Sequence, residues 1–246
     1  MCAATWASTW SWRVIPVASN EFRLRVRYGK TGRLRWLSHL EVVHALERSV
    51  RRAGLSYAVT QGFSPHMKAA FGPALPVGTA GENEYYDVWL TRYTSADELL
   101  VGLGDATPAD LSPAEAAFVG DARPSLGASL TIAKYRVTVV GKEAGSVPVR
   151  EALRGLVELG TLHVEHKGKQ KVFDLARSLP EETRVSESAG VSEIELTVRI
   201  GPEGSLRPEA LVKAALESAA LSASVAHVIR TDTLVEQERG VWAKPL

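Results

Sequence analysis

The stretch Glu21–Lys30, EFRLRVRYGK, alternates strictly. Successive side chains of an extended chain point to opposite sides, so Phe22, Leu24, Val26 and Tyr28 share one face and Arg23, Arg25 and Arg27 the other. Such a segment has one face to bury, and it predicts a strand in a sheet with a one-sided core and the arginines on the solvated side. The next signal is a helix. Ser38 precedes Glu41 by three residues, which fits a capping box, so both have a structural role at the helix start. Leu40, Val43, Leu46, Val50 and Ala53 follow at helical spacing, and Gly54 ends the run.

Further along, LSYAVT and EYYDVWLTRY read as strands, SADELLVGLGDATP as a capped helix beginning at Ser95, and AAFVGDA as a closing strand. KTGR reads as a turn and LRWL as a short second strand after it. After a small-residue connection near Arg123–Gly127 the same order returns: a strand in LTIAKYRVTVVG, a helix in VPVREALRGLVELG, strand and turn in LHVEHKGKQKVFDL, a strand in VSEIELTVRIG, a helix opening at Pro208, and a strand in ASVAHVIRTDTLVE. Each half therefore reads βαββαβ. The predicted fold class is α+β: two tandem ferredoxin-like (βαββαβ) units with antiparallel sheets, at residues 21–125 and 126–246. Residues 1–20, with Trp6, Trp10 and Trp12 in no periodic pattern, read as a flexible N-terminal arm or as a start codon placed too far upstream.

Charge is distributed unevenly. Residues 13–78 hold eleven Lys/Arg against three acids, residues 79–125 two against nine, and the rest balances, so a net charge of +1 conceals a segment of +8 beside one of −7. The basic segment is either a footprint for phosphate or the partner of the acidic segment within one domain. No apolar run approaches the ~18–20 residues that span a bilayer, so no membrane partner is expected. The opening residues lack the basic start and apolar stretch of a signal peptide. Cys2 is the one cysteine, which excludes an internal disulfide framework, a four-cysteine zinc site and a cluster held by this chain's thiolates. A cytoplasmic location is expected.

Two groups could carry chemistry. His39 falls in the first turn of the helix, where the positive end of the dipole lowers an imidazole's pKa. His66 and Lys68 follow a Ser64-Pro65 turn in GFSPHMK. Placed in one basic cleft, His39 and His66 could act as acid and base in cleaving RNA, with Lys30 or Arg33 stabilising the phosphorane. No third ligand follows from spacing, so no metal is expected. Lys30, Arg33, Arg35, His44, Arg48, Arg51, Arg52 and Lys68 are the candidate phosphate contacts. Tyr28, Trp36, Tyr85, Tyr86 and Trp89 are available for base stacking, though each also suits a core. HVEHKGKQK, with His163, His166, Lys167, Lys169 and Lys171, is a basic turn. GKTGR resembles a phosphate loop only superficially, because it lacks the Gly-Lys-Ser/Thr end at the required spacing.

The stretch YGKTGRLRWLSHLEVVHALERSVRRAGLSYAVTQGFSPHMKAAFGPALPVGTAGENEYYDVWL resembles the radical SAM-linked family of unknown function, the DUF2344 domain. The likeness covers most of residues 22–240 and is most specific in Lys30–Gly54 and Gln61–Glu84. Glu41 stands where the family more often has Asp, and Ser64 and Met67 where it has Asn and Pro. The resemblance implies a setting near RNA processing or modification, with a radical SAM protein or ribonuclease E/G as protein partners. This chain has no Cys-x3-Cys-x2-Cys motif, so it is read as carrying no cofactor and first as a non-enzyme. The leading expectation is an RNA-binding accessory factor, for tRNA or rRNA, acting with a separate radical SAM modification enzyme. An RNA endonuclease using His39 and His66, and a protein–protein adaptor, are the alternatives.

Overall fold

The computed structural model describes residues 21–120, 122–166, 168–188, 190–201 and 204–246, and the side chains of His166 and Lys169 fall outside the description. The expected arm at residues 1–20 and Lys167 of the basic turn therefore lie outside the described residues. The first half runs β1 (Phe22–Lys30), α1 (His39–Arg52), β2 (Ala69–Phe71), β3 (Ala80–Leu90), α2 (Ala96–Ala106) and β4 (Pro113–Phe118). The short α3 (Leu126–Ser129) leads to β5 (Leu130–Gly141) and α4 (Ser146–Glu158). A separate hairpin, β6 (Thr161–His166) and β7 (Lys169–Asp174), and the short α5 (Leu175–Ser178) come next. The chain closes with β8 (Arg184–Ser188), β9 (Val191–Arg199), α6 (Pro208–Ser218), β10 (Ala223–Glu238) and β11 (Val241–Ala243).

One sheet joins the two halves, in the order β4-β1-β3-β10-β5-β9-β8, with β2 also pairing β3 and β11 pairing β10. Among the described residues every pairing is antiparallel except the seam, where β3 and β10 run parallel through Ala80–Ile229 and Gly81–Arg230. The fold is thus mixed α+β on a large, mostly antiparallel sheet. Leu24, Val26, Tyr86 and Val88 face α1 and α2 from one side of the first half, and Val137, Ile194 and Leu196 join α4 and α6 in a second core.

Local chemistry explains the elements. Ser38 accepts a bond from the Glu41 N–H, and the Glu41 carboxylate accepts from the Ser38 N–H, which satisfies two donors at the start of α1. Gly54, at a φ of +68°, lets the chain leave the helix in the left-handed region. Several sequence expectations change. The buried face of α1 is Val42, Ala45, Leu46, Ser49 and Val50, and Leu40 is 67 % exposed, because the α1 stripe is rotated relative to the expected one. LRWL is part of a 3-10 turn, Gly32–Trp36, not a strand. LSYAVT contributes isolated bridges only, Tyr57 to Leu90 and Val59 to Met67, since it lies at the sheet edge. The closing strand sits earlier, at Pro113–Phe118.

Candidate nucleic-acid interface

Arg23 and Arg25 of β1 do not face solvent, and Arg27 is half-buried. Asp87 lies directly across from Arg25 in β3 and is fully buried, 0 % exposed. Its carboxylate accepts from Arg23 Nε at 2.8 Å and Nη2 at 2.6 Å, and from Arg25 Nε at 2.7 Å and Nη2 at 3.0 Å. The remaining guanidinium N–H groups reach backbone carbonyls: Arg23 donates to Arg123 and Pro124, and Arg25 to Pro245. The connection between the halves and the C-terminal residues thus cover this face of the sheet, and Tyr85, Leu126, Leu130, Val235 and Leu246 pack there. Arg27 pairs with Glu115 and Asn83. The alternation at residues 22–28 is correct and its usual reading is not: charged residues are buried where another element supplies counter-charge and acceptors.

Lys30 is also buried. Its ammonium donates to the Leu37 carbonyl, and it lies in a group with Tyr28, Glu84, Arg230 and His39. Glu84 on β3 and Arg230 on β10 form a two-pronged ion pair across the seam, and Arg230 also donates to the Pro73 carbonyl. Burial lowers the Lys30 pKa, and Arg230 adds to that. Burial also raises the hydroxyl pKa of Tyr28 and Tyr86, and takes Tyr85 to about 12. Arg230 stays charged because Glu84 outweighs the desolvation. His39 is half-buried with its ring edge-on to Phe71 at 6.1 Å. Its pKa is depressed first by burial and then by Lys30 and Arg230, so tertiary neighbours account for a shift that the sequence ascribes to the helix start.

His66 has its own set of contacts. It sits exposed in the turn between Thr60 and Met67, its backbone N–H donates to the Thr60 hydroxyl at 3.2 Å, and its Nδ1 lies 3.1 Å from that hydroxyl. The ring contacts of His39 and His66 share no residue. Lys68 pairs with Glu21 and lies over the Trp89 ring.

Of the candidate phosphate contacts, those of the 3-10 turn and α1 remain outward. Arg33, His44, Arg48, Arg51 and Arg52 are exposed. Arg51 pairs with Glu47, and Arg33, His44, Arg48 and Arg52 have no ion pair among the described residues. Leu40, His44, Arg48 and Arg52 recur every four residues on the outer face of α1, a run of roughly 18 Å. Before the helix the Arg35 guanidinium lies over the Trp36 ring at 5.3 Å, and Trp36 is 60 % exposed. Gly78, at a φ of +87°, donates to the Arg35 carbonyl and lies so close to Trp36 that an added Cβ would stand 2.8 Å from the ring. Among the described residues no three His, Cys, Asp or Glu side chains gather as a metal site would need, and no described helix is long and apolar enough to cross a membrane.

Asp87, Glu84 and Arg230 are the structurally decisive ionic residues that sequence reasoning missed. The available signal was the acidic run that follows the basic one. It supplies Asp87 to Arg23 and Arg25 and Glu115 to Arg27, so three arginines of the basic segment are answered within the chain, while Glu84 pairs with Arg230 from the second half. What remains is an α+β protein on one broad sheet, with a basic outer face on α1 and an exposed Trp36 in the turn before it. Residues 23–208 match the DUF2344 family, described as an uncharacterised protein conserved in bacteria, and the chain belongs to that family.

No curated protein matches the sequence. Similar solved structures include the crystal structure of a Cbf5-Nop10-Gar1 complex, at 14 % identity and a TM-score of 0.46 over 85 % of this chain and 48 % of that one. An H/ACA RNP bound to a substrate RNA containing 2'-deoxyuridine is similar at 12 % identity and a TM-score of 0.45, over 85 % and 47 %. The chain spans about half the length of these solved chains. At these scores the likeness carries no conclusion for this chain.

Proposed function

We propose that the chain is a cytoplasmic RNA-binding accessory protein that meets tRNA or rRNA through the outer face of α1 and the turn before it. The observation that carries this reading is the coincidence of unpaired, exposed cations with an exposed aromatic ring. Arg48 and Arg52 stand with the His44 side chain on one face of α1, and Arg35 lies on Trp36 in the turn before it. Lysine and arginine contacts to phosphate supply sequence-independent affinity, and an exposed ring offers a platform for an unpaired base. The architecture behind it is read as two ferredoxin-like units, residues 21–125 and 126–246, fused through one sheet. The orders β4-β1-β3-β2 and β10-β5-β9-β8, each antiparallel, support that reading. The radical SAM modification enzyme and ribonuclease E/G enter as partners through the family resemblance, and a pull-down from nuclease-treated lysate checks them.

Gel-shift titration of tRNA and rRNA fragments over a range of salt tests the RNA reading. Binding should weaken along a straight log–log line, and the double substitution Arg48→Ala/Arg52→Ala should lower the slope by roughly 1.5–2. Absent binding, or binding indifferent to salt, refutes it.

A further inference from the structure

The basic face of α1 has an acidic neighbour. α2 packs against α1 and against β4, on the side of the sheet away from β2. It carries Asp97, Glu98 and Asp105, all exposed, and no lysine or arginine. None of the three has an ion pair among the described residues. Asp97 and Asp105 lie about 12 Å apart along the helix, and packed helices run about 8–10 Å from axis to axis. That separation is close to the Debye length of about 8 Å at physiological salt, so these carboxylates act on an anion that spreads sideways from α1. The arginines of α1 lean towards them. His39 marks the opposite flank, where its ring meets Phe71 of β2. At about 100° per residue, Arg48 and Arg52 stand about 180° and 140° round the helix from His39. Within α1, Glu47 pairs with Arg51. The positive strip is therefore about one helix wide.

We infer that this strip takes a single, unpaired strand of RNA and rejects duplex. The inference rests on the RNA-binding reading above and names the form of RNA that the surface selects. Three observations carry it. Arg48 and Arg52 follow each other about 6 Å apart along α1, so they can meet successive phosphates of one strand. A duplex seated on them brings a second line of phosphates beside the first, and on the α2 side that line meets Asp97, Glu98 and Asp105. Like charges set against each other exclude the wrong partner. The third observation is Trp36, whose ring is 60 % exposed while it rests against Gly78 and the Arg35 guanidinium. Its open surface can stack a base only where that base is free of its pair, as in a loop, a bulge or a strand end.

The test is fluorescence anisotropy of the full chain with a short, labelled, unstructured RNA, alone and annealed to its complement, at physiological salt. The single strand should bind at least about tenfold more tightly than the duplex. Replacing the three carboxylates by amides, Asp97→Asn/Glu98→Gln/Asp105→Asn, should strengthen duplex binding and narrow the gap to about threefold. Trp36→Ala should weaken the single strand by about tenfold and leave the duplex unchanged. Trp36→Ala carries the test if the triple variant does not fold. Duplex binding as tight as that of the single strand, or a gap that neither variant narrows, overturns the inference and leaves the RNA reading standing. Binding of neither form refutes the RNA reading itself and the inference with it, so the two failures are told apart.

Discussion

Replacing Asp87 by asparagine keeps the shape of the side chain and removes its charge. Two guanidinium groups then lie buried with no counter-ion. Neither can escape to water easily, because Arg23 remains tied to the Arg123 and Pro124 carbonyls and Arg25 to that of Pro245. Removing one partner of a buried ionic group costs about 3–5 kcal/mol, a large share of the ~5–15 kcal/mol that holds a typical domain together. In a chain of 246 residues each kcal/mol moves the melting temperature by about 2–4 °C, so the loss corresponds to about 6–20 °C. Urea denaturation followed by circular dichroism measures it. The decisive control is the same substitution in an Arg23→Met/Arg25→Met background. There Asp87 is itself the uncompensated charge, so Asp87→Asn should stabilise. A loss below about 1 kcal/mol in the wild-type background, or no change of sign in the other, refutes the account of this cluster.

His39 should titrate by NMR below the usual histidine value of about 6.5, since burial and the cations Lys30 and Arg230 disfavour its protonation while Glu84 opposes them. The unfolded chain then takes up the proton first, so the stability linked to His39 is present above that value and falls as pH drops through it; Lys30→Met should raise the midpoint, and a midpoint at or above 6.5 contradicts this. Gly78→Ala should cost more stability than Gly54→Ala. Both impose the strain of a positive φ, about 1 kcal/mol, but only at position 78 does the new Cβ meet a ring. Equal urea midpoints for the two would show that the Trp36 contact is not tight.

The sequence alone specified what is periodic and local. The strand at residues 22–30, the helix opening at Ser38 and Glu41, and the recurring strand–helix order are all written in spacings of two to four residues. Pleat, helical turn and cap depend on near neighbours, so they are legible without a fold. The destination of each charge was not legible. Asp87 reaches Arg23 across 64 positions and Glu84 reaches Arg230 across 146. An alternating arginine looks the same in sequence whether water or a carboxylate faces it. The tertiary structure alone decided that the two halves share a sheet at a parallel seam, that Asp87 and Glu115 meet the three arginines of β1, and that Glu84 and Arg230 pair across the seam. Long-range pairing and desolvation set these outcomes, and neither leaves a periodic mark on the chain.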